Sequence, residues 1–153
     1  MTKEVVANIQ YGGDYAEKLR EAAESGECVF CQDTFQRDSK FFLMGYQGWI
    51  ARKSEFPTKD VLGGIPDHHI LIVPERHVGS YEDLANQDHV RVSTIVAYLR
   101  SRLGIRGGGL VHRLGHPLYS GATVLHVHFH FVVPRIIEID GEPRAVFVNM
   151  PIG

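Results

Sequence analysis

The stretch LHVHFHFVVPR, Leu125 to Arg135, places three of the chain's nine histidines at every second position. Alternate residues of a β-strand share a face. A strand here puts His126, His128 and His130 on one side, with rings about 6.6–6.8 Å apart. Val127, Phe129 and Phe131 then face the core on the other side. Three meanings of such a row stand side by side. One is a solvent face that happens to use histidine, against the usual preference for Thr, Lys or Glu. Another is a His-x-His metal pair with a third imidazole, as in open catalytic zinc sites. The third is covalent chemistry, with one ring as nucleophile and its neighbours binding and orienting a phosphate. Imidazole titrates near ~6.5, so it is available as a neutral nucleophile at neutral pH.

Working outward, HHILIVPE (His68 to Glu75) forms a second β-rich run ending at Pro74, and KFFLMGYQGWIARK suggests a hairpin. Its strands are Phe41 to Met44 and Trp49 to Lys53, around a turn at Gly45 to Gly48. FPTKDVLGGIPD is a loop, punctuated by proline and glycine. The longest helical pattern is SYEDLANQDHVRVSTIVAYLRSRLG, with Val92, Ile95, Val96, Leu99 and Leu103 on one face and Gly104 as its stop. A shorter helix runs from about Tyr15 to Glu24, with Asp14 as N-cap and Gly26 as stop. RGGG turns the chain into the strand LVHRLG, ATVLHVHFHFVVPR is a long strand, and RAVFVNM is a last short one. RGGG lacks a phosphate-loop pattern and is a turn. His89 and His112 receive no functional role.

These elements predict an α+β fold: a mostly antiparallel sheet of about five strands with the long helix packed on it. The chain of 153 residues is expected to form one domain, with a core of about 27–135 and an N-terminal helical segment over 1–26. A net charge of −2 gives no sign of a nucleic-acid footprint. No apolar run approaches the ~18 residues of a membrane span, and the first residues lack an export signal. The expected compartment is the reducing cytoplasm. There the pair Cys28 and Cys31, in CVFC, points to a metal site, a redox dithiol or plain buried thiols.

HVHFHFVV, His126 to Val133, resembles the His-φ-His-φ-His-φ-φ signature of the histidine-triad (HIT) superfamily, where φ is an apolar residue. GATV, Gly121 to Val124, resembles the family's approach to that motif. HHILIVPERH, His68 to His77, resembles its upstream strand with a Pro-x-x-His end, and CVFC resembles the N-terminal zinc half-site of one branch. The resemblance implies a nucleotide hydrolase or nucleotidyl transferase acting at an α-phosphate. His128 would be the nucleophile, forming a nucleotidyl-imidazole that water cleaves. His130 and the Thr123 hydroxyl would contact phosphate, and the upstream histidine would line the pocket. His69 is preferred to His68 there, because the Pro-x-x-His end fixes the strand register. A structural zinc would be held by Cys28, Cys31, His77 and His126. The partners implied are a nucleotide or nucleoside-phosphate substrate and a second copy of the chain in a homodimer.

Two positions depart from the family pattern. Ala122 stands where many members carry Gln, and no Asn precedes the triad. Arg113 and His116 are the candidates to supply those contacts, since guanidinium matches phosphate geometry. Asp60 lies one residue off the family's ribose-binding acid. Two rival functions follow: a zinc-dependent phosphoesterase with all three triad histidines on the metal, and a non-catalytic nucleotide-binding module.

Overall fold

The computed structural model describes residues 13–152. The expected N-terminal segment before residue 13 lies outside the described residues. Among the described residues seven strands are present: β1 (Phe42–Tyr46), β2 (Trp49–Lys53), β3 (His68–Pro74), β4 (Gly109–Val111), β5 (Phe129–Val133), β6 (Ile136–Ile139) and β7 (Glu142–Ala145). The helices are α1 (Asp14–Ser25), α2 (Asp33–Gln36), α3 (Asn86–Leu103) and α4 (Pro117–Ser120). The first five strands form one antiparallel sheet in the order β1-β2-β3-β5-β4, and β6 and β7 form a separate hairpin. The α+β architecture expected from the sequence is the one observed.

The sheet has two covered faces. Val92, Ile95 and Leu99 of α3 pack against Trp49, Ala51, Ile70, Ile72, Val127, Phe129 and Phe131. The opposite face holds Ile50, Leu71 and Val73, covered by Leu19 and Ala22 of α1 and by Cys28 and Phe30. Strand alternation sorts these sets: Trp49 and Ala51 point to α3, while Ile50 and Arg52 point the other way. α3 is shorter than its sequence pattern. Tyr81–Asp83 forms a separate 3-10 turn, and Leu103 is exposed. Asp88 anchors the start of α3. Its buried carboxylate accepts from Trp49 Nε1–H, Ala85 N–H, Arg76 and Arg91. Gly26 and Gly104 end α1 and α3 in the left-handed region, as expected, but Gly13 rather than Asp14 occupies the N-cap of α1.

Three strands differ from their sequence pattern. The long strand expected around the histidines contracts to β5, because residues 125–128 bond elsewhere. Val127 N–H donates to the Val78 carbonyl at 2.7 Å, and the His126 carbonyl is taken by a side chain described below. LVHRLG contracts to β4, since His112 turns out of the ladder. RAVFVNM overlaps β7 by two residues only. That strand begins earlier, after an Asp140–Gly141 turn with both φ angles positive. Asp-Gly is the preferred sequence for a two-residue hairpin turn. The RGGG turn is confirmed, and Gly108 is required there: a Cβ would sit 2.6 Å from the Val132 carbonyl oxygen.

Candidate active site

The β3–β5 register sets the imidazoles. His69 pairs with Val132 and Leu71 with His130, so His69 and His130 sit diagonally on the sheet face away from α3. His69 is buried and His68 points to the opposite side, where it lines a groove with Ile136 and Phe147. Of the two upstream candidates, only His69 reaches the triad.

Hydrogen bonds fix the protons on these rings. Thr58 N–H donates to His69 Nδ1 at 2.9 Å, so the His69 proton is on Nε2. His69 Nε2 lies 2.9 Å from His130 Nδ1 and donates to it. The His130 proton is therefore on its own Nε2, a buried donor without a partner among the described residues. His128 Nδ1–H donates to the His126 carbonyl at 2.7 Å, which leaves the Nε2 lone pair bare. The His128 and His130 rings meet edge to face at 4.9 Å, and the Phe30 ring meets His128 at 5.0 Å. Burial pushes His69 down to about 4, with the Arg113 charge adding to the effect. Burial likewise takes His128 to about 4, against the hydrogen bond to the His126 carbonyl, and drives His130 well below its usual value. All three rings are neutral at pH 7.

Arg113, on the loop after β4, is close enough to lower all three. One Nη1–H donates to the Gly121 carbonyl at 3.2 Å, and its buried Nε–H has no partner among the described residues. His116 instead caps α4 at the surface, where its Nδ1 accepts from Leu118 N–H. Asp60 stays out of the cavity: its carboxylate is paired with Arg135 at 2.5 Å. The Thr123 hydroxyl is buried and lies 2.8 Å from the Tyr15 hydroxyl of α1.

His126 faces a different group. Its Nδ1 lies 3.4 Å from both Cys28 Sγ and Cys31 Sγ, and His77 Nδ1 lies 3.4 Å from Cys31 Sγ. The four donor atoms fall within 4.8 Å of one another. A tetrahedral ion with sulfur at ~2.3 Å and nitrogen at ~2.0–2.1 Å requires an S···N separation of about 3.6 Å. His126 Nε2–H donates to the Pro74 carbonyl at 2.9 Å, which turns the Nδ1 lone pair toward the thiols. The four residues fit a metal ion. The triad rings do not converge on one point, since Nδ1 of His126 faces sulfur and Nδ1 of His130 faces His69.

Sequence reasoning missed three contributors. His112 Nδ1–H donates to the His128 carbonyl at 2.7 Å, holding the main chain under that ring. Phe30 lies within CVFC, between the two cysteines, yet its ring forms the wall beside His128. The third is α1, which lies over a cavity of about 550 Å³ bounded by Tyr15, Leu19, Phe30, His69, His128 and His130. Its apolar positions Ala16, Leu19 and Ala22 were the available signal, because a helix with one buried stripe needs a surface to cover.

No family model matches the chain. A HIT-like protein of unassigned function from Chlamydia muridarum is 27% identical over 89 residues, covering 56% of this chain and 64% of that protein's length. A HIT family hydrolase from Legionella pneumophila superposes with a TM-score of 0.53 at 20% identity, covering 76% of this chain and all of that one. A histidine triad nucleotide-binding protein from Candida albicans gives 0.55 at 19%, covering 82% and 83%. The fold is the histidine-triad fold. The resemblance of the triad, its upstream strand and the cysteine pair to the histidine-triad superfamily is thus matched by the backbone that carries them. Among the described residues, no helix of this histidine-triad fold is long and apolar enough to cross a membrane.

Proposed function

We propose that the protein is a nucleotide hydrolase or nucleotidyl transferase that works through a covalent nucleotidyl intermediate on His128. The observation that carries this reading is one bare lone pair, His128 Nε2, beside two buried donors without partners among the described residues, His130 Nε2–H and Arg113 Nε–H. A phosphoryl group complements that set: phosphorus meets the lone pair and its oxygens meet the donors. Nε2 attacks the α-phosphorus, the N–P bond forms and the bond to the leaving group breaks. The ring becomes cationic and keeps its Nδ1–H on the His126 carbonyl, which stabilises the charge. Water then cleaves the N–P bond, releasing a nucleoside monophosphate and restoring the neutral imidazole. Arg113 takes the place of the amide missing at Ala122. The nucleotide-binding and hydrolase activities named for proteins of the same fold support the substrate class.

The test is trapping. Incubation with an adenosine phosphoramidate or a dinucleoside polyphosphate, then quenching and mass spectrometry, is expected to show a nucleotidyl adduct on His128. His128→Asn is expected to show none and to lose turnover. Binding without adduct or turnover in the unaltered protein would instead establish a nucleotide-binding module.

The cysteine–histidine cluster belongs to the same reading as a structural zinc site. Zinc there would tie the segment carrying Cys28 and Cys31 to the main chain at His77 and His126. Cys28→Ser is expected to release one metal equivalent and lower the melting temperature. A purified protein without zinc, and a silent substitution, would remove it. By resemblance the reading also includes a homodimer in the cytoplasm, which sedimentation equilibrium and fractionation check.

A further inference from the structure

The cavity runs along the sheet away from the imidazoles, and its far wall carries Arg52 and Asp38. Arg52 pairs with Leu71 across β2 and β3, and Leu71 with His130 across β3 and β5. The three form a row at about 4.8 Å per strand, so Arg52 stands about 10 Å from His130. That is close to the reach from a nucleotide's 5′-phosphate to the far edge of a purine.

Arg52 is only 2% exposed. Its guanidinium sits 4.0 Å from the Phe35 ring centroid and 4.9 Å from that of Phe41. Nη1–H donates to the Phe35 carbonyl and Nε–H to the Lys53 carbonyl. Nη2 has no partner among the described residues, and no carboxylate pairs with the group. Burial lowers its pKa, while Glu55 and Asp38 pull it back up. An apolar side chain would fill this site at lower cost, and Nη2, the corner of the cation left open to the cavity, is available to an acceptor that arrives with a ligand. Asp38 is half-buried. One of its carboxylate oxygens accepts from Lys40 N–H, and the other has no partner among the described residues.

We propose that Arg52 and Asp38 recognise a guanine base, Arg52 donating to O6 and N7 and Asp38 accepting from N1–H and the 2-amino group. The inference rests on the nucleotide reading above and adds the base. Adenine turns its 6-amino donor toward the guanidinium instead of an acceptor. A second phosphate is disfavoured, because Asp38 puts a carboxylate beside Arg52 on the same wall, while Glu55 is paired with Lys18. Phe35 is already covered by Arg52 and by Phe30, which stacks on it at 4.5 Å, so the base packs against the apolar edges of this aromatic wall.

Calorimetric binding of GMP, AMP and UMP to the full chain tests this. The protein is expected to bind GMP about tenfold or more tighter than the other two. Arg52→Met and Asp38→Asn should each shrink that gap to about threefold or less. Arg52→Lys should shrink it too, because an ammonium lacks the two-pronged geometry. If Arg52→Met does not fold, Asp38→Asn at its half-buried position decides. Equal affinities, a preference for AMP or UMP, or a GMP preference that survives the folded variants overturns the inference. Equal affinities together with an adduct on His128 overturn it alone. No binding and no adduct overturn it together with the nucleotide reading.

Discussion

His69 spends its proton on His130 and acts through it, fixing where the His130 proton stands. The Thr58 amide selects its tautomer, His69 in turn selects that of His130, and the result is a buried donor, His130 Nε2–H, with no acceptor among the described residues. His69→Phe keeps a planar ring at the position and breaks the sequence of bonds. Adduct formation is expected to slow about 10²-fold, as when one donor to a developing oxyanion is lost. The melting temperature should also fall by a few degrees, because Thr58 N–H and His130 Nδ1 lose their partner, and rapid-quench kinetics on the folded variant beside a melting curve read the two effects separately. Asp88 is the contrasting residue. Burial alone would raise its pKa, but the Arg76 and Trp49 hydrogen bonds and the Ala85 amide outweigh it, so the net shift is downward. A depressed carboxylate stabilises the fold fully above its unfolded pKa of ~3.9, and that stability is lost as pH falls below it. Asp88→Ala leaves the Trp49 indole N–H unpaired and is expected to cost about 3 kcal/mol at pH 7. The cost should shrink in melts taken toward pH 3.

At the scale of elements, legibility followed the reach of the forces. The Val92–Leu99 stripe, the His68–Pro74 run and the Trp49–Lys53 strand carry local periodicity, and each formed where its pattern placed it. The alternation of Val127, Phe129 and Phe131 told their face correctly, even though residues 125–128 leave the ladder. Side-chain bonds to the main chain caused that departure, and such bonds have no period to detect. The β6–β7 hairpin was legible in Asp140–Gly141 and was overlooked. The seat of α1 was not legible, because a stripe of Ala16, Leu19 and Ala22 says what is buried and not against which surface. Leu19 is the largest of the three and only 1% exposed. Leu19→Ala is expected to cost about 2–4 kcal/mol of docking energy. Amide exchange should then quicken over 14–25 while β2, β3 and β5 keep their protection.

For the whole molecule, the sheet divides labour between its faces. One is an apolar seat for α3, and the other carries the cavity, the imidazoles and the cysteines. The chemistry-bearing face was readable in the sequence because histidines are conspicuous at alternate positions. Arg52, Asp38 and Phe30 were not, since each is an ordinary residue until the register brings it beside the others. Removing metal from the zinc-loaded protein with a chelator is expected to lower the melting temperature by several degrees, because four ligands from three separate segments lose their common tie. Calorimetry with and without chelator reads that shift.

The carbonyl that steadies the reactive ring belongs to His126, whose own side chain faces the two thiols. Whatever immobilises one end of that residue restrains the other, and thermodynamic coupling has no preferred direction. On the proposed reading, a nucleotide in the cavity should therefore retard loss of a zinc ion held on the far side of the same backbone unit. A colorimetric zinc-release assay run with and without a saturating nucleoside monophosphate would register it as a slower rate.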